Sequence, residues 1–588
     1  MNKNSIILLA VCFTISYSGA AQINMISDEL RAKIDSTYTT LLKKNKVTGT
    51  SIAIVDNGEI VYATGYGFSD LENKKKADAN TIYGIGSITK AFTALSIMQL
   101  QEQKKLSVTN SIKDYLVDLK IENPFNDSNQ IYINDILSHT SGLPSDIANG
   151  FFVDNPPTIS WVIKELNKQR LISPRQYISA YSNVGYGLLG EVISRVSGLN
   201  YGDYLRKNIF TPLNMTSSSI GYQMSNTSKT YSGNKETVEP TVRDVAAGFI
   251  SSNVIDMSNF ISMLISDGSF KSNQIISPNS IAEMERDQLK NVLLTQPFAY
   301  GYALMIDSIK IKNHKKKDST IISIIGHGGD THAFHADLAY IPELKVGAVI
   351  LTNSVNGGSM SGASKLLKIY LERSKDIEVD LDYITPISYK GITPKDDEIF
   401  GKYNLGQLII DVKDINKIKF KQGPVKAILS KKTNSNNYSL KIWVFGFIPI
   451  KIKDQEFKFT KVNNEIYAKR LDTKTKYEYY LGKKNKVNLP YPESWKSMYG
   501  KYKLTGKIYE TTNRSYDFSD LKLTVSEKSG FLKVDLKSKS MFSGTLHFDM
   551  ISEKSAVLGG IGRGNGDVLR ILENGNLYYS GFEFLKIK

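Results

Sequence analysis

Ser87 and Lys90, in the stretch "YGIGSITKAFTALSIMQL" (Tyr83–Leu100), set a hydroxyl and an amine three residues apart. On a helix that spacing puts both side chains on one face, close enough to touch. The positions that follow are mostly apolar (Ala91, Phe92, Ala94, Leu95, Ile97, Met98 and Leu100), so the amine stands at the start of a helix that reads as buried. Two chemistries fit. Lys90 could lie along the rim and reach water while Ser87 caps the helix. Alternatively, a desolvated Lys90 has a depressed proton affinity and takes the proton of Ser87, which makes the serine oxygen a nucleophile. The same spacing recurs at Ser232/Lys235, in a Gly/Asn-rich turn, and at Ser519/Lys522. Spacing alone therefore does not choose, and the rest of the chain must.

Three further segments bear on the choice. "SHTSGLP" (Ser138–Pro144) follows a short helical signal, "INDIL"; "YSNVGYGLLGEVISRVSG" (Tyr181–Gly198) opens on Tyr-Ser-Asn and runs into a helix; "GHGGD" (Gly326–Asp330) ends a β-rich run. In order and content these segments, with Ser87-x-x-Lys90, resemble the penicillin-recognising serine hydrolases. That superfamily includes class C β-lactamases, D-Ala-D-Ala carboxypeptidases, D-aminopeptidases and related esterases. The resemblance covers about Ile26 to Glu372 and does not reach the C-terminal third. It implies Ser87 as nucleophile, Lys90 and Tyr181 as the proton-transfer pair, and Asn183 as the group orienting Lys90 and the substrate amide. It further implies an oxyanion hole from the backbone N–H groups of Ser87 and Asp330, the latter just past the His327-Gly328-Gly329 strand. Which of Lys90 and Tyr181 takes the first proton stays open.

The departures from the family pattern bear on substrate. β-Lactamases and D,D-carboxypeptidases usually carry Lys-Thr-Gly or Lys-Ser-Gly on this strand, a cation and a hydroxyl for the substrate carboxylate. Here His327 is mostly uncharged at neutral pH, Gly328 has no hydroxyl, and the acidic Asp330 follows Gly329. A weakened carboxylate clamp points to esters, or to amides of small or D-amino-acid-containing peptides. A D-Ala-D-Ala carboxypeptidase or weak β-lactamase is the alternative, and a non-catalytic cell-surface binding protein is the reading from another class. His139 is expected to fix its loop. His327, His332 and His335 invite a zinc site, but 332 and 335 point to opposite faces of a strand and no carboxylate or cysteine completes a ligand spacing. No metal and no cofactor are expected.

The elements that must position these residues are legible in outline. Asp28–Lys44 reads as an amphipathic helix, and "GTSIAIVDNGEIVYATGYG" (Gly49–Gly67) as two strands joined at Asn57-Gly58. Helices and loops fill about 105–240. Strand signals return at Gly301–Ile306, Ile321–Gly329, Ala336–Pro342 and Val346–Asn353, and a helix near Ser361–Glu372 closes the region. This is an α+β pattern: an antiparallel sheet flanked by helices, with a helical lobe inserted between its first and last strands. Beyond it, 376–394 reads as a linker and "WVFGFIPI" (Trp443–Ile450) as a buried strand pair. "FGKYNL" (Phe400–Leu405) and "YGKYKL" (Tyr499–Leu504) each open alternating β-like runs. The expected organisation is a signal peptide (1–21), a β-lactamase-like domain (22–375), the linker, and two small antiparallel β-rich modules, 395–487 and 495–588, separated by "NLPYPES".

Composition sets the context. The N-terminus carries Lys3, an apolar run from Ile6 to Ile15 and small residues before Gln22, a secretory signal with cleavage near Ala20 or Ala21. Cys12 is the single cysteine and lies in that segment; Val11 before it argues against a lipoprotein anchor. The mature chain, secreted or periplasmic, then has neither disulfides nor a thiolate site. From Lys395 onward 36 Lys and Arg face 21 Asp and Glu, so nearly all of the net charge of +16 belongs to the C-terminal third. That surplus suits an anionic cell-surface polymer, although exposed strand lysines also protect edges. Nucleic acid is not an expected partner, and the substrate is a small molecule or peptide.

Overall fold

The computed structural model describes residues 23–125, 130–313, 318–360, 362–422, 425–444, 448–485, 492–539 and 543–587. The expected N-terminal signal with Cys12, Ser361, and residues 488–491 of the expected separator lie outside them. Helix α1 (Asp28–Asn45) leads into the hairpin β1 (Gly49–Asp56) and β2 (Glu59–Asp70), which turns at Asn57 and Gly58, both at positive φ. After it come helices α2 (Thr89–Glu102) and α3 (Asn183–Ser197), strands β3 (Met305–Asn313), β4 (Asp318–Asp330), β5 (His335–Ile341) and β6 (Val346–Thr352), and helix α4 (Ala363–Ser374). The main sheet has ten strands, and its centre runs β2-β1-β6-β5-β4-β3, all antiparallel. Because β6 pairs directly with β1, the ends of the domain close the sheet and the helical lobe is an insertion between β2 and β3.

Period-two alternation explains the two cores. On β1, Ile52 and Ile54 pack with Leu30, Ile34 and Tyr38 of α1 and Leu367 and Tyr370 of α4, while Ala53 and Val55 face the opposite layer with Phe92 and Leu95 of α2. A sheet covered on both faces needs strands apolar at every position, and β1 and β6 are buried at nearly all of theirs.

Three sequence expectations need correction. Gly301–Leu304 is a bend, not strand: Gly301 N–H donates to Leu304 O, Tyr302 N–H to Met284 O, and Ala303 sits at positive φ, so pairing resumes only at Met305. Residues Ile377–Asp380 of the expected linker form β7, an edge strand on β3. Of the "WVFGFIPI" segment, 445–447 lie outside the described residues; its flanks pair as strands, Trp443 opposite Pro449, but Ile450 is 43% exposed and not buried as expected.

Beyond the linker, six strands from Lys417–Gln422 to Glu478–Lys483 follow one another in a single antiparallel sheet beside the hairpin Gly401–Asn404/Ile409–Val412. Eight strands from Gly500–Thr505 to Phe582–Lys586 then close into a barrel, the last pairing with the first. The two recurring strings share a structural job. Tyr403 and Tyr502 are fully buried, and each hydroxyl donates to the carbonyl four residues back, Ile399 O at 2.9 Å and Met498 O at 2.5 Å. Among the described residues no helix is long and apolar enough to cross a membrane.

Trp495, on the short helix Glu493–Ser497, packs with Tyr502, Leu532 and Phe584 in the barrel core, and its Nε1–H donates to Ser552 O at 2.9 Å. Trp495→Ala is expected to destabilise the chain by about 3–5 kcal/mol in denaturant unfolding. A change below about 1 kcal/mol would contradict this packing.

Candidate active site

Ser87 lies in the 3-10 turn Gly86–Ile88 that leads into α2, and neither this turn nor α2 has a side-chain cap. The capping alternative for Ser87 is thereby removed. The hydroxyl is instead half-buried at the edge of a cleft. Lys90 has no exposed surface at all. Its Nζ donates to Ser87 Oγ at 3.2 Å, Asn183 Oδ1 at 2.7 Å and the carbonyl of Ala247 at 2.7 Å. The rim alternative therefore fails too. Burial pushes the Lys90 amine well below the ordinary lysine range; Asp146 and Asp244 oppose that shift and Arg563 adds to it.

The helix α3 starts at Asn183, and Ser182 Oγ caps it by accepting from Gly185 N–H at 3.0 Å. That start fixes the segment before it. His139, at positive φ in the Ser138–Pro144 loop, accepts from Ser182 N–H through Nδ1 at 3.1 Å, so its role is structural, as expected. Its ring lies 4.2 Å from that of Tyr181, centroid to centroid. Lys90 Nζ in turn is 4.6 Å from the centroid of the Tyr181 ring. Desolvation raises the Tyr181 phenol above its ordinary range, while the neighbouring Ser87 hydroxyl and the charge of Arg563 pull the other way. Serine and amine from one stretch of chain and a phenol from another thus meet at one point.

Asn183 is used at both ends. Its Oδ1 accepts from Lys90 and its Nδ2–H donates to Asp146 Oδ1 at 2.8 Å. It orients the amine, and the second hydrogen on Nδ2 is left for a substrate amide in the cleft that Asn183 lines. Burial raises the Asp146 carboxyl to about 6. The Ala247 acceptor is held by the neighbouring pair Arg243–Asp244, fully buried, with Nη2 to Oδ2 at 2.8 Å. Arg243 also donates to Ile147 O and Asn149 O, tying the loop that carries the cleft residues Phe151 and Phe152.

The strand β4 passes directly over the serine turn. A Cβ on Gly329 would fall 1.9 Å from Ile85 O and 3.1 Å from Ser87 N, and one on Gly86 would fall 2.6 Å from Asp330 N. Only glycine permits this approach, which brings the amides of Ser87 and Asp330 together beside the serine oxygen. His327 is buried, donates through Nδ1 to Gly328 O at 2.5 Å and accepts at Nε2 from Tyr300 hydroxyl at 3.3 Å. Burial and the charge of Lys90 lower it to about 4, so it is neutral through the physiological range. The Asp330 carboxylate lines the cleft and is paired with His335 Nδ1. His332 sits in the turn before β5 and not on a strand, with Nε2 3.3 Å from Thr237 Oγ1.

The cleft of about 560 Å³ is lined by Ser87, Tyr181, Asn183, His327, Asp330 and Arg563. The structure therefore gathers every residue named from sequence and adds Asp146, Ala247 O and Arg563. Asp146 stands two residues past "SHTSGLP" and was within reach of that motif; a backbone carbonyl leaves no residue-type signal; Arg563 lies in the remote run "GGIGRGNGD". The barrel also walls the mouth. Tyr516 packs on Phe152 at 4.6 Å and on His332 at 5.6 Å, bridging the two banks.

A family model and one solved structure agree with this fold. A family model described as Beta-lactamase matches residues 34–370. Protein flp of Staphylococcus aureus (strain MRSA252) is 26% identical over 344 residues, 56% of this chain and 64% of that protein. Beta-lactamase-like protein 2 of Dictyostelium discoideum is 29% identical over 243 residues, 38% of this chain and 44% of that protein. The chain thus spans less than two thirds of the length of these curated relatives. A solved structure described as "Crystal structure of SurE" is similar in fold, with a TM-score of 0.56 at 16% identity over 77% of this chain and 99% of that one. Another, "Structure of the octameric penicillin-binding protein homologue from Pyrococcus abyssi", gives a TM-score of 0.49 at 24% identity over 76% and 99%.

Gly329→Ala puts a methyl into Ile85 O and must part β4 from the serine turn. It is expected to cost about 1–3 kcal/mol or more in denaturant unfolding. Unchanged stability would show that the two backbones are not in contact.

Proposed function

Because this chain belongs to the beta-lactamase family, whose model covers more than half of it, we propose that it is a serine hydrolase working through an acyl-enzyme on Ser87. The observation that carries the reading is the fully buried Lys90 amine bonded to the oxygen of a serine that faces an open cleft. The opposite shifts of the pair support a division of roles. A lowered Lys90 is unprotonated and so free to accept a proton, and a raised Tyr181 keeps its proton. Neutral Lys90 takes the Ser87 proton as Oγ attacks the substrate carbonyl carbon. The carbonyl oxygen takes the resulting negative charge and is held by the amides of Ser87 and Asp330. The bond to the leaving group then breaks, and the leaving oxygen or nitrogen takes a proton from Tyr181, which Lys90 replenishes. Water attacks the acyl-Ser87 ester by the same route in reverse and restores the enzyme.

For substrate, we favour esters, or amides of small or D-amino-acid-containing peptides. A neutral His327 and Gly328 stand where a strand cation and hydroxyl would favour efficient β-lactam turnover. Penicillin is expected to acylate Ser87 slowly. The leader-like N-terminus supports export, and the basic C-terminal third supports retention at anionic surfaces, where Lys421, Lys528 and Lys537 line one groove.

A fluorophosphonate probe is expected to label Ser87. Ser87→Ala should abolish labelling, and Lys90→Ala should slow it by about 100-fold or more. Labelling that persists in Ser87→Ala would overturn the assignment. The pH profile gives a second check. As pH falls, Lys90 gains its proton, so kcat/KM falls on the acid side; Asp146, neutralised near 6, then supports the ammonium less and makes the fall shallower. Asp146 is an anion that favours the Lys90 ammonium; Asp146→Asn should therefore move the acid limb to lower pH. A limb that stays in place or moves up would refute this coupling. Binding to anionic polymer should weaken steeply between low and high salt, and retention indifferent to salt would remove that role.

A further inference from the structure

The cleft contains a cation that none of the four motifs and no step above requires. Arg563 belongs to the barrel, on the loop between strands Ser555–Leu558 and Val568–Ile571. It nonetheless lines the cleft beside Ser87, and its guanidinium carbon lies 4.8 Å from the centroid of the Tyr181 ring. The side chain is solvent-exposed, and among the described residues no carboxylate pairs with it. Arg243, close by, is by contrast consumed by Asp244 and two backbone carbonyls. The carboxylates around Arg563 are also engaged: Asp330 with His335, Asp146 with Asn183, and Asp337 with Ala363 N–H at 2.8 Å. A guanidinium with free donors in a substrate cleft is suited to a planar, two-oxygen anion.

The placement is built into the loop. Gly562 at φ +90° and Gly564 at φ +73° flank Arg563 in the backbone region that favours glycine. Gly564 N–H donates to Ser145 Oγ at 2.9 Å, next to the Asp146 that holds Asn183. Gly566 abuts Ile172, where a Cβ would fall 2.6 Å from the isoleucine Cβ. A second cavity of about 300 Å³ meets the cleft at Tyr181, Met305 and Arg563, and is walled by Phe298, Tyr300, Tyr479 and Tyr480. An anion at Arg563 would thus sit where the reacting centre joins an aromatic recess.

We propose that Arg563 binds a substrate carboxylate, so that the preferred substrates are esters or amides bearing a carboxylate close to the scissile bond. The cation missing from the His327-Gly328-Gly329 strand is then supplied by the C-terminal barrel. This rests on the hydrolase reading above.

Two matched ester pairs test it: 4-nitrophenyl hydrogen succinate against 4-nitrophenyl butyrate for an anion on the acyl side, and 3-acetoxybenzoate against phenyl acetate for one on the leaving side. In at least one pair the wild type should favour the anionic member by about 10- to 100-fold in kcat/KM, mostly through KM. Arg563→Ala and the size-preserving Arg563→Gln should erase that ratio, Arg563→Lys should keep part of it, and Arg563→Glu should reverse it. A ratio unchanged in Arg563→Ala, or an equal loss on both members, overturns the proposal; the latter would mean that Arg563 acts only through Tyr181. Failure of the hydrolase reading is a separate result: no ester turned over and Ser87 unlabelled by fluorophosphonate. Binding then decides. In calorimetry 3-acetamidobenzoate should bind the wild type more tightly than Arg563→Gln does, while 3-acetamidobenzamide should not distinguish them. Equal binding of the benzoate by both proteins overturns the proposal.

Discussion

An amine with no access to water is costly unless its donors are satisfied, and at Lys90 the acceptors come from widely separated stretches of chain. Ser87 is three residues away, but Asn183 is 93 and Ala247 is 157 residues away. The helix α2, the start of α3 and the segment held by Arg243–Asp244 must all be in place before the amine is satisfied. Three acceptors match the three donors of an ammonium, yet desolvation disfavours that same ammonium. The site is therefore poised between two protonation states, each supported by a different part of its surroundings. The pairs behind it, buried Arg243–Asp244 and part-buried Asp146–Asn183, keep the acceptors aimed and let the amine give up its proton without losing its position.

Much of this was legible in the sequence because motif and element coincide. Ser87, Tyr181 and Asn183 stand at helix starts, and the His327-Gly328-Gly329 run ends a strand; in each case a local pattern fixes both the fold and the direction of the side chain. The sheet was readable for the same reason, since β1 and β6 carry unbroken apolar runs, Ile52–Val55 and Val346–Leu351, as a doubly covered strand requires. What escaped is set by tertiary contact. Gly301–Leu304 has the composition of a strand, but Met284 O captures the Tyr302 amide and bends the chain. Trp443–Ile450 has the composition of a core hairpin and yet leaves Ile450 in solvent. The Ala247 carbonyl could not have been named, because every residue has one. A glycine-rich run announces a loop; it does not say which cleft the loop enters.

Arg563 changes how the cleft is divided between the parts of the chain. Its charge acts on Lys90, Tyr181, His139 and Asp146 in one direction, favouring fewer bound protons at each. A buried arginine at that position would make the effect severe. An exposed one on a loop is screened by solvent and perturbs the pair only moderately. If Arg563 receives a substrate carboxylate, its field on Lys90 is largely cancelled at the moment the substrate is seated. The proton affinity of Lys90 then rises just as the Ser87 proton must leave. The free enzyme would hold a neutral amine, and the occupied enzyme a more basic one. On this argument the barrel selects the substrate and also adjusts the base that attacks it, because the two tasks share one positive charge over one phenol ring.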